Sequence, residues 1–248
     1  MSAAPVRFTS GFTQDAVWQP LGLVGVPDPF FYSCFADDFQ PYQATNYTVT
    51  ASGGSVAQTT ANGTGGRILF TTGAISGNFA EIQMSSFGFN YSAGKKFAFL
   101  TRVRLADITN SAMIAGVISS NVTPFTSVAD GIYFYKAAAG STIQLLAVTG
   151  SVTVGSVSLP AGTLTAATDI DLGFCVTPNG SLKAFYGLNL IGQQRQDFAT
   201  LGPNIGILNT AFTGALTTAN VAPTLAVSAG TAAAQTMVAD FLFSTQER

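Results

Sequence analysis

Several short segments of this chain alternate apolar residues with other residues, and this period of two constrains the fold more than any other feature. In segment 97–105, apolar side chains fall on one face of a strand, while Arg102 and Arg104 fall on the other face, which we expect to be solvated. Segment 170–176 repeats the alternation, with Asp171 on the less apolar side. Such segments predict β-strands that bury one face each.

Turn signals separate these segments, and no window of helical length keeps an apolar stripe with a period of 3.6. Many short strands at this spacing predict an all-β fold, either a two-sheet antiparallel β-sandwich or a jelly roll. We expect the region 203–236, which is rich in Ala, Thr and Gly, to be a long loop with one strand at Thr224–Ser228. The turn signals are Gly53-Gly54, Asn62-Gly63, Gly65-Gly66, Asp130-Gly131, Gly140 and Asn179-Gly180.

Residues 1–33 differ in composition from the rest of the chain, because prolines alternate there with aromatic and aliphatic residues. Proline fixes φ and removes a hydrogen-bond donor, which disfavours helices and central strands. We therefore predict an extended N-terminal arm over 1–33 and a sandwich domain over 34–248. The arm would lie on its own domain or on a neighbouring subunit. Its predicted interface anchors are Phe12, Trp18, Phe30 and Phe31.

The chain contains no histidine and only two glutamates, Glu81 and Glu247, which excludes histidine-based triads and histidine-ligated zinc. We expect no enzymatic activity. Charged residues make up only 9% of the chain and the formal net charge is −2, so no basic surface for nucleic acid is expected. The sequence has no apolar run long enough for a transmembrane helix and begins without a secretory apolar segment.

Two pairs of aspartates are weak candidates for calcium ligands, since calcium accepts carboxylate oxygens without histidine. Asp169 and Asp171 share one face of a strand, whereas the adjacent Asp37 and Asp38 point to opposite faces. Solvated strand ends explain both pairs equally simply. As a general acid and base, Asp169 and Asp171 are disfavoured because nothing nearby in the sequence raises one pKa.

Tyr133 and Tyr135 fall on one face of a predicted strand, where they could form a platform for a sugar ring. Ordinary cross-strand aromatic packing is the simpler interpretation of the two tyrosines. Cys34 and Cys175 each lie among apolar neighbours. Two buried thiols are the favoured interpretation, and a disulfide between them stays open.

Three phrases of the sequence resemble a known family: PDPFFYSCFADDFQPY (27–42) followed by NYTVT, GKKFAFLTRVRLADI with DGIYFYK (130–136), and the ending TMVADFLFSTQER. Together they resemble the concanavalin A-like (laminin-G-type) jelly-roll proteins in virions of tailed bacteriophages, of the capsid decoration or cement type. The resemblance implies that the first and last strands lie side by side, here Cys34–Phe39 and Val238–Phe243. It brings no catalytic residues, and relatives that bind calcium or sugar do so at a rim whose full ligand set this chain does not show.

The resemblance implies a non-enzymatic virion protein that stabilises the head by bridging capsomers. The implied partners are the major capsid protein and further copies of this chain, in a homo-oligomer for which a trimer is favoured. The protein would lie on the capsid surface after assembly in the cytoplasm of the bacterial host. The alternative is a receptor-binding or glycan-binding module of a phage tail fibre, with Tyr133 and Tyr135 in contact with the sugar.

Overall fold

A computed structural model describes residues 32–59, 66–85, 88–120, 123–178, 180–187, 206–211 and 216–248. The described residues form β-strands and one short 3-10 turn at Ala44–Asn46, and none of them forms a helix that could cross a membrane. The strands are β1 (Tyr32–Asp37), β2 (Tyr47–Ser52), β3 (Ser55–Thr59), β4 (Arg67–Thr71), β5 (Phe79–Met84), β6 (Phe89–Asn90), β7 (Phe97–Leu105), β8 (Ser111–Ile118), β9 (Gly131–Lys136), β10 (Ile143–Thr149), β11 (Val152–Ser158), β12 (Ile170–Val176), β13 (Ser181–Gly187), β14 (Gly206–Ala211), β15 (Asn220–Ala229) and β16 (Thr236–Glu247).

The strands form two antiparallel sheets of eight strands each. Sheet A has the order β14-β13-β12-β7-β16-β4-β3, with β1 beside β16. Sheet B has the order β11-β10-β9-β8-β15-β5-β2, with β6 beside β15. The fold is therefore the two-sheet antiparallel sandwich that the alternation predicts.

The core lies between the two sheets and takes one side chain in two from each central strand. Phe174 of β12 stacks on Phe99 and Phe97 of β7, with ring centroids 5.4 and 6.0 Å apart. Phe134 of β9 meets Phe174 from the opposite sheet at 6.2 Å. These rings pack together between the two sheets at the centre of the sandwich. The alternation of residues along each strand places them on its buried face.

The predicted pairing of the first and last strand segments is confirmed. β1 runs antiparallel to β16, with Asp37 opposite Leu242 and Tyr32 opposite Glu247. Residues 1–31, which include the four predicted anchors of the arm, lie outside the described residues. Tyr32 and Ser33 belong to β1, so the strand begins two residues before the predicted start of the domain.

The prediction for residues 203–236 is wrong in part, because β14 and β15 both fall in this region. β15 is ten residues long and lies in the interior of sheet B, between β8 and β5. It begins four residues before the predicted strand and contains Pro223. On one edge, β6 pairs with Asn220 and Val221 and β5 pairs from Thr224 onwards, so Pro223 falls where that edge has no ladder partner.

Candidate functional site

The outer face of sheet B, which points away from the core, combines polar and aromatic side chains. One cross-strand row on this face begins with Thr50 of β2 opposite Glu81 of β5. It then crosses the centre of the sheet and ends with Tyr135, Gln144 and Ser158. In order, the row is Thr50, Glu81, Ala226, Ile114, Tyr135, Gln144 and Ser158.

The loop between β8 and β9 packs on the centre of this outer face. Backbone N–H of Ser119 donates to the carbonyl oxygen of Asp130 at 2.8 Å and closes the base of the loop. Phe125 of the loop meets Phe79 of β5, with ring centroids 6.4 Å apart. Loop residues thereby join an apolar cluster on the outside of the sheet: Ile114, Ile118, Val128, Tyr133, Val148 and Ala226, with Phe125, Tyr135 and Leu146 against them. The loop therefore divides the face into a covered centre and open sides.

Tyr133 and Tyr135 share this face, as the sequence predicted, but their surroundings differ. Tyr133 is only 7% exposed beneath the loop cluster, and burial raises the pKa of its hydroxyl to about 12. Its ring is therefore not available as an open platform for a sugar. Tyr135 is partly exposed, at the edge of the cluster. The predicted pair is reduced to a single accessible aromatic ring.

Beside Tyr135, strands β10 and β11 contribute exposed polar groups that the sequence did not single out. Gln144 lies opposite both Tyr135 and Ser158, and its Nε2 donates to the Ser158 hydroxyl at 3.4 Å. An aromatic ring next to a planar amide and a hydroxyl offers an apolar surface together with hydrogen-bond donors and acceptors. We call Tyr135, Gln144 and Ser158 the tyrosine row.

Glu81 lies at the covered centre of the same face and was not predicted to be a functional residue. Its side chain is completely buried, and neither carboxylate oxygen has a hydrogen-bond partner among the described residues. Burial raises its pKa to about 8 from the ordinary 4.5. In the next row, the Gln83 amide donates to the Thr224 hydroxyl at 2.9 Å. The alternation over 79–84 predicts the face of Glu81, but no local signal predicts that this side chain is buried.

The outer face of sheet A carries a network of ion pairs around the predicted calcium candidates. Arg102 binds Asp171 through two hydrogen bonds, at 2.6 and 3.1 Å. Arg67 lies 3.0 Å from Asp169 and 3.2 Å from Asp240, which sits at a β-bulge in β16. The expectation of a solvated face is wrong for Arg102 and Asp171, whose side chains are 18% and 0% exposed. These aspartates share a face as predicted, and their carboxylates are engaged by arginines.

Asp37 is the last residue of β1, and Asp38 follows it directly. Asp37 accepts hydrogen bonds from the Tyr47 hydroxyl at 2.6 Å and from the backbone N–H of Phe39 at 2.7 Å. Asp38 accepts one from the backbone N–H of Gln40 at 3.2 Å. Across the described ranges, no three His, Cys, Asp or Glu side chains come together in a way that could hold a metal ion. The two aspartate pairs thus lie apart, and each serves the local structure.

Cys34 and Cys175 are both free thiols; Cys175 is buried as expected, whereas the expectation of a buried thiol is wrong for Cys34, which is exposed. They lie in one row of sheet A, where Cys34 faces Thr245, Thr245 faces Ala98 and Ala98 faces Cys175. Three strand steps separate their backbones by about 14 Å, whereas a disulfide needs Cα atoms about 4.4–6.8 Å apart. The sheet therefore keeps the two thiols apart.

No protein-family model and no curated protein matches this chain. Solved structures do match it. The endo-1,3-beta-glucanase from Streptomyces sioyaensis is 11% identical with a TM-score of 0.56, and the match covers 89% of this chain and 98% of that one. The Emp47p carbohydrate recognition domain is 11% identical with a TM-score of 0.56, over 88% and 97% of the two chains.

A third match comes from a bacteriophage. The CBM2 module of the Lactobacillus casei BL23 phage J-1 evolved Dit is 11% identical with a TM-score of 0.54, over 87% of this chain and 96% of that one. At these identities the likeness extends to the fold alone. The chain has the concanavalin A-like jelly-roll fold.

Proposed function

We propose that this protein is a non-enzymatic carbohydrate-binding module of a bacteriophage virion, and that it contacts sugar through the tyrosine row. The observation that carries this proposal is the partly exposed ring of Tyr135 beside the exposed Gln144 and Ser158 on the outer face of sheet B. The aromatic ring would lie against the apolar face of a sugar, and the amide and hydroxyl would bind its hydroxyl groups. The phage-derived module of the same fold and the three resembling phrases support a virion context.

The arrangement of carboxylates supports the non-enzymatic part of the proposal. Glycoside hydrolysis requires two carboxylates on either side of the scissile bond. Glu81 has Thr50 and Ala226 as its cross-strand neighbours, and the ion-paired aspartates Asp169 and Asp171 lie on the other sheet. A binding role requires no such pair.

Binding to a glycan array, followed by titration calorimetry with the best ligand, tests this proposal. We expect Tyr135→Ala to weaken binding by about tenfold, which corresponds to about 1.4 kcal/mol, and Gln144→Ala to weaken it as well. Val152→Ala is the matched control, because Val152 is 62% exposed on the neighbouring strand β11 but outside the tyrosine row. Absence of any glycan ligand, or equal affinity for wild type and Tyr135→Ala, would contradict the proposal.

A second proposal is that the protein decorates the capsid, where it bridges capsomers and contacts the major capsid protein and further copies of itself. The low content of charged residues supports this role, because a chain with 9% charged residues and a net charge of −2 opposes close packing of copies only weakly. Cryo-electron microscopy of intact particles distinguishes the two roles. Density for the protein on the head would support decoration, and density at the tail would favour glycan recognition.

A further inference from the structure

Glu81 lies between two contacts that hold the loop between β8 and β9 on the outer face of sheet B. Phe79, two residues earlier on the same face of β5, meets Phe125 of the loop, with ring centroids 6.4 Å apart. Gln83, two residues later on that face, donates from Nε2 to the carbonyl oxygen of Ser119 at 3.3 Å, where the loop begins. The loop is thus attached to β5 on both sides of Glu81.

Residues 123–130 of this loop, which we call the strap, also pack beside Glu81 in the direction across the sheet. Phe125 and Val128 of the strap belong to the apolar cluster that includes Ala226, the cross-strand neighbour of Glu81 in β15. Contacts with the loop therefore reach three neighbours of Glu81. The Glu81 carboxyl is itself completely buried, and neither of its oxygens has a hydrogen-bond partner in the part of the chain that the structure describes.

The described neighbours of Glu81 offer nothing that could neutralise a negative charge. Phe79 and Gln83 on β5 are uncharged, and so are the residues on the same face of the two adjoining strands: Thr48, Thr50, Ser52, Thr224, Ala226 and Ser228. The one titratable residue of the loop sequence 119–130 is Asp130, whose carboxylate accepts a hydrogen bond from the backbone N–H of Gly150 at 3.1 Å. Burial alone raises the pKa of Glu81 to about 8. An ionised Glu81 therefore needs contact with water, which its buried position denies it.

We propose that the strap is a proton-linked cover, which stays closed on β5 while Glu81 is protonated and opens to let water reach the ionised carboxylate. The pKa of Glu81 is about 8 in the closed state and takes its ordinary value of 4.5 in the open state, so opening becomes easier as the pH rises from about 4.5 to about 8 and then levels off. Over this range the opening equilibrium rises by up to about three orders of magnitude. Opening would also uncover Tyr133, which lies in the same apolar cluster.

The protonation of Glu81 can be measured directly, because the chain contains only one other glutamate, Glu247. Nuclear magnetic resonance of protein labelled with ¹³C at the glutamate side-chain carboxyls should show two signals, and Glu247→Gln assigns them by removing one. We expect the Glu81 signal to titrate well above pH 4.5. A midpoint close to 4.5 would overturn the proposal, because Glu81 would then ionise without any opening. No sugar enters this measurement, so its result is independent of whether the tyrosine row binds glycan.

Hydrogen exchange of wild type and Glu81→Gln at equal pH tests whether the strap is what opens, since the comparison cancels the base catalysis of exchange itself. Relative to Glu81→Gln, wild-type strap peptides should lose protection by about a hundredfold between about pH 5 and about pH 8. Low urea should leave this exchange unchanged, whereas peptides from β7 and β12 should exchange more slowly and accelerate with urea, because they require global unfolding.

Phe125→Ala is the control for a strap that is loosened without a change of charge. It removes the ring that meets Phe79 and should lower the protection of strap peptides by a similar factor at both pH values. The proposal would be overturned by equal pH dependence of strap exchange in wild type and Glu81→Gln. Strap peptides that exchange at the same rate as those of β7 and β12, with the same urea dependence, would also overturn it, because only global unfolding would then expose Glu81.

Discussion

Replacing Glu81 by glutamine should remove a large pH dependence from the stability of this protein. The buried carboxyl has a pKa of about 8 in the folded chain and 4.5 as its ordinary value. Below about pH 4.5 the group is protonated in both states, so it costs nothing. As the pH rises from about 4.5 to about 8, the unfolded chain loses the proton while the folded chain keeps it, and stability falls. Above about pH 8 the loss levels off.

The size of this effect follows from the difference between the two pKa values. At about 1.4 kcal/mol for each pH unit, it amounts to about 5 kcal/mol, comparable with the total stability of many domains, about 5–15 kcal/mol. Glutamine has a similar shape and never ionises. The stability advantage of Glu81→Gln over wild type should therefore grow with pH up to about pH 8.

Urea denaturation of both proteins across this pH range measures the effect. The difference between the two free energies of unfolding is the informative quantity, because the contributions of all other groups cancel in it. Gln144→Glu serves as the control, since it places a carboxyl on the same face at an exposed position. A difference between wild type and Glu81→Gln that stays constant with pH would refute the burial argument.

Two further substitutions test the packing of the two sheets. Arg102→Met removes the guanidinium that binds the buried Asp171 and should lower the free energy of unfolding by about 3–5 kcal/mol. The double variant Arg102→Met/Asp171→Leu should regain most of that loss. A double variant as unstable as Arg102→Met alone would count against this account. Gly116→Ala places a Cβ atom 2.4 Å from the Ile132 carbonyl oxygen and 2.4 Å from Tyr133 Cα. This clash should lower the free energy of unfolding, measured by urea denaturation, by about 1–3 kcal/mol. A free energy within about 0.5 kcal/mol of the wild-type value would contradict the clash.

Much of the fold could be predicted because alternate residues of a strand point to opposite faces of the sheet, so the buried face appears in the sequence as a period of two. The alternation over 97–105 assigns Phe97, Phe99 and Val103 to the core, and all three lie there. The full length of β15 in region 203–236 was not predicted, because its small side chains and internal proline have a low local propensity for strands. Its strand forms because β8 on one side and β5 on the other provide ladder partners that lie far away in the sequence.

The candidate site could be predicted only as far as shared faces. Tyr133 and Tyr135 do lie on one face, and so do Asp169 and Asp171. Which tyrosine stays accessible depends on the loop between β8 and β9, and what the aspartates bind depends on arginines from β4 and β7. These are contacts between distant segments, and a local pattern carries no information about them.

The sequence by itself determined that this chain would fold into strands, that each strand would have one buried face, and that histidine chemistry would be absent. The tertiary structure alone decided that the central part of each outer face would be buried as well. Burial of an outward-pointing side chain, such as Glu81, depends on what packs against it in three dimensions. The same alternation of residues would have described an open, solvated sheet equally well.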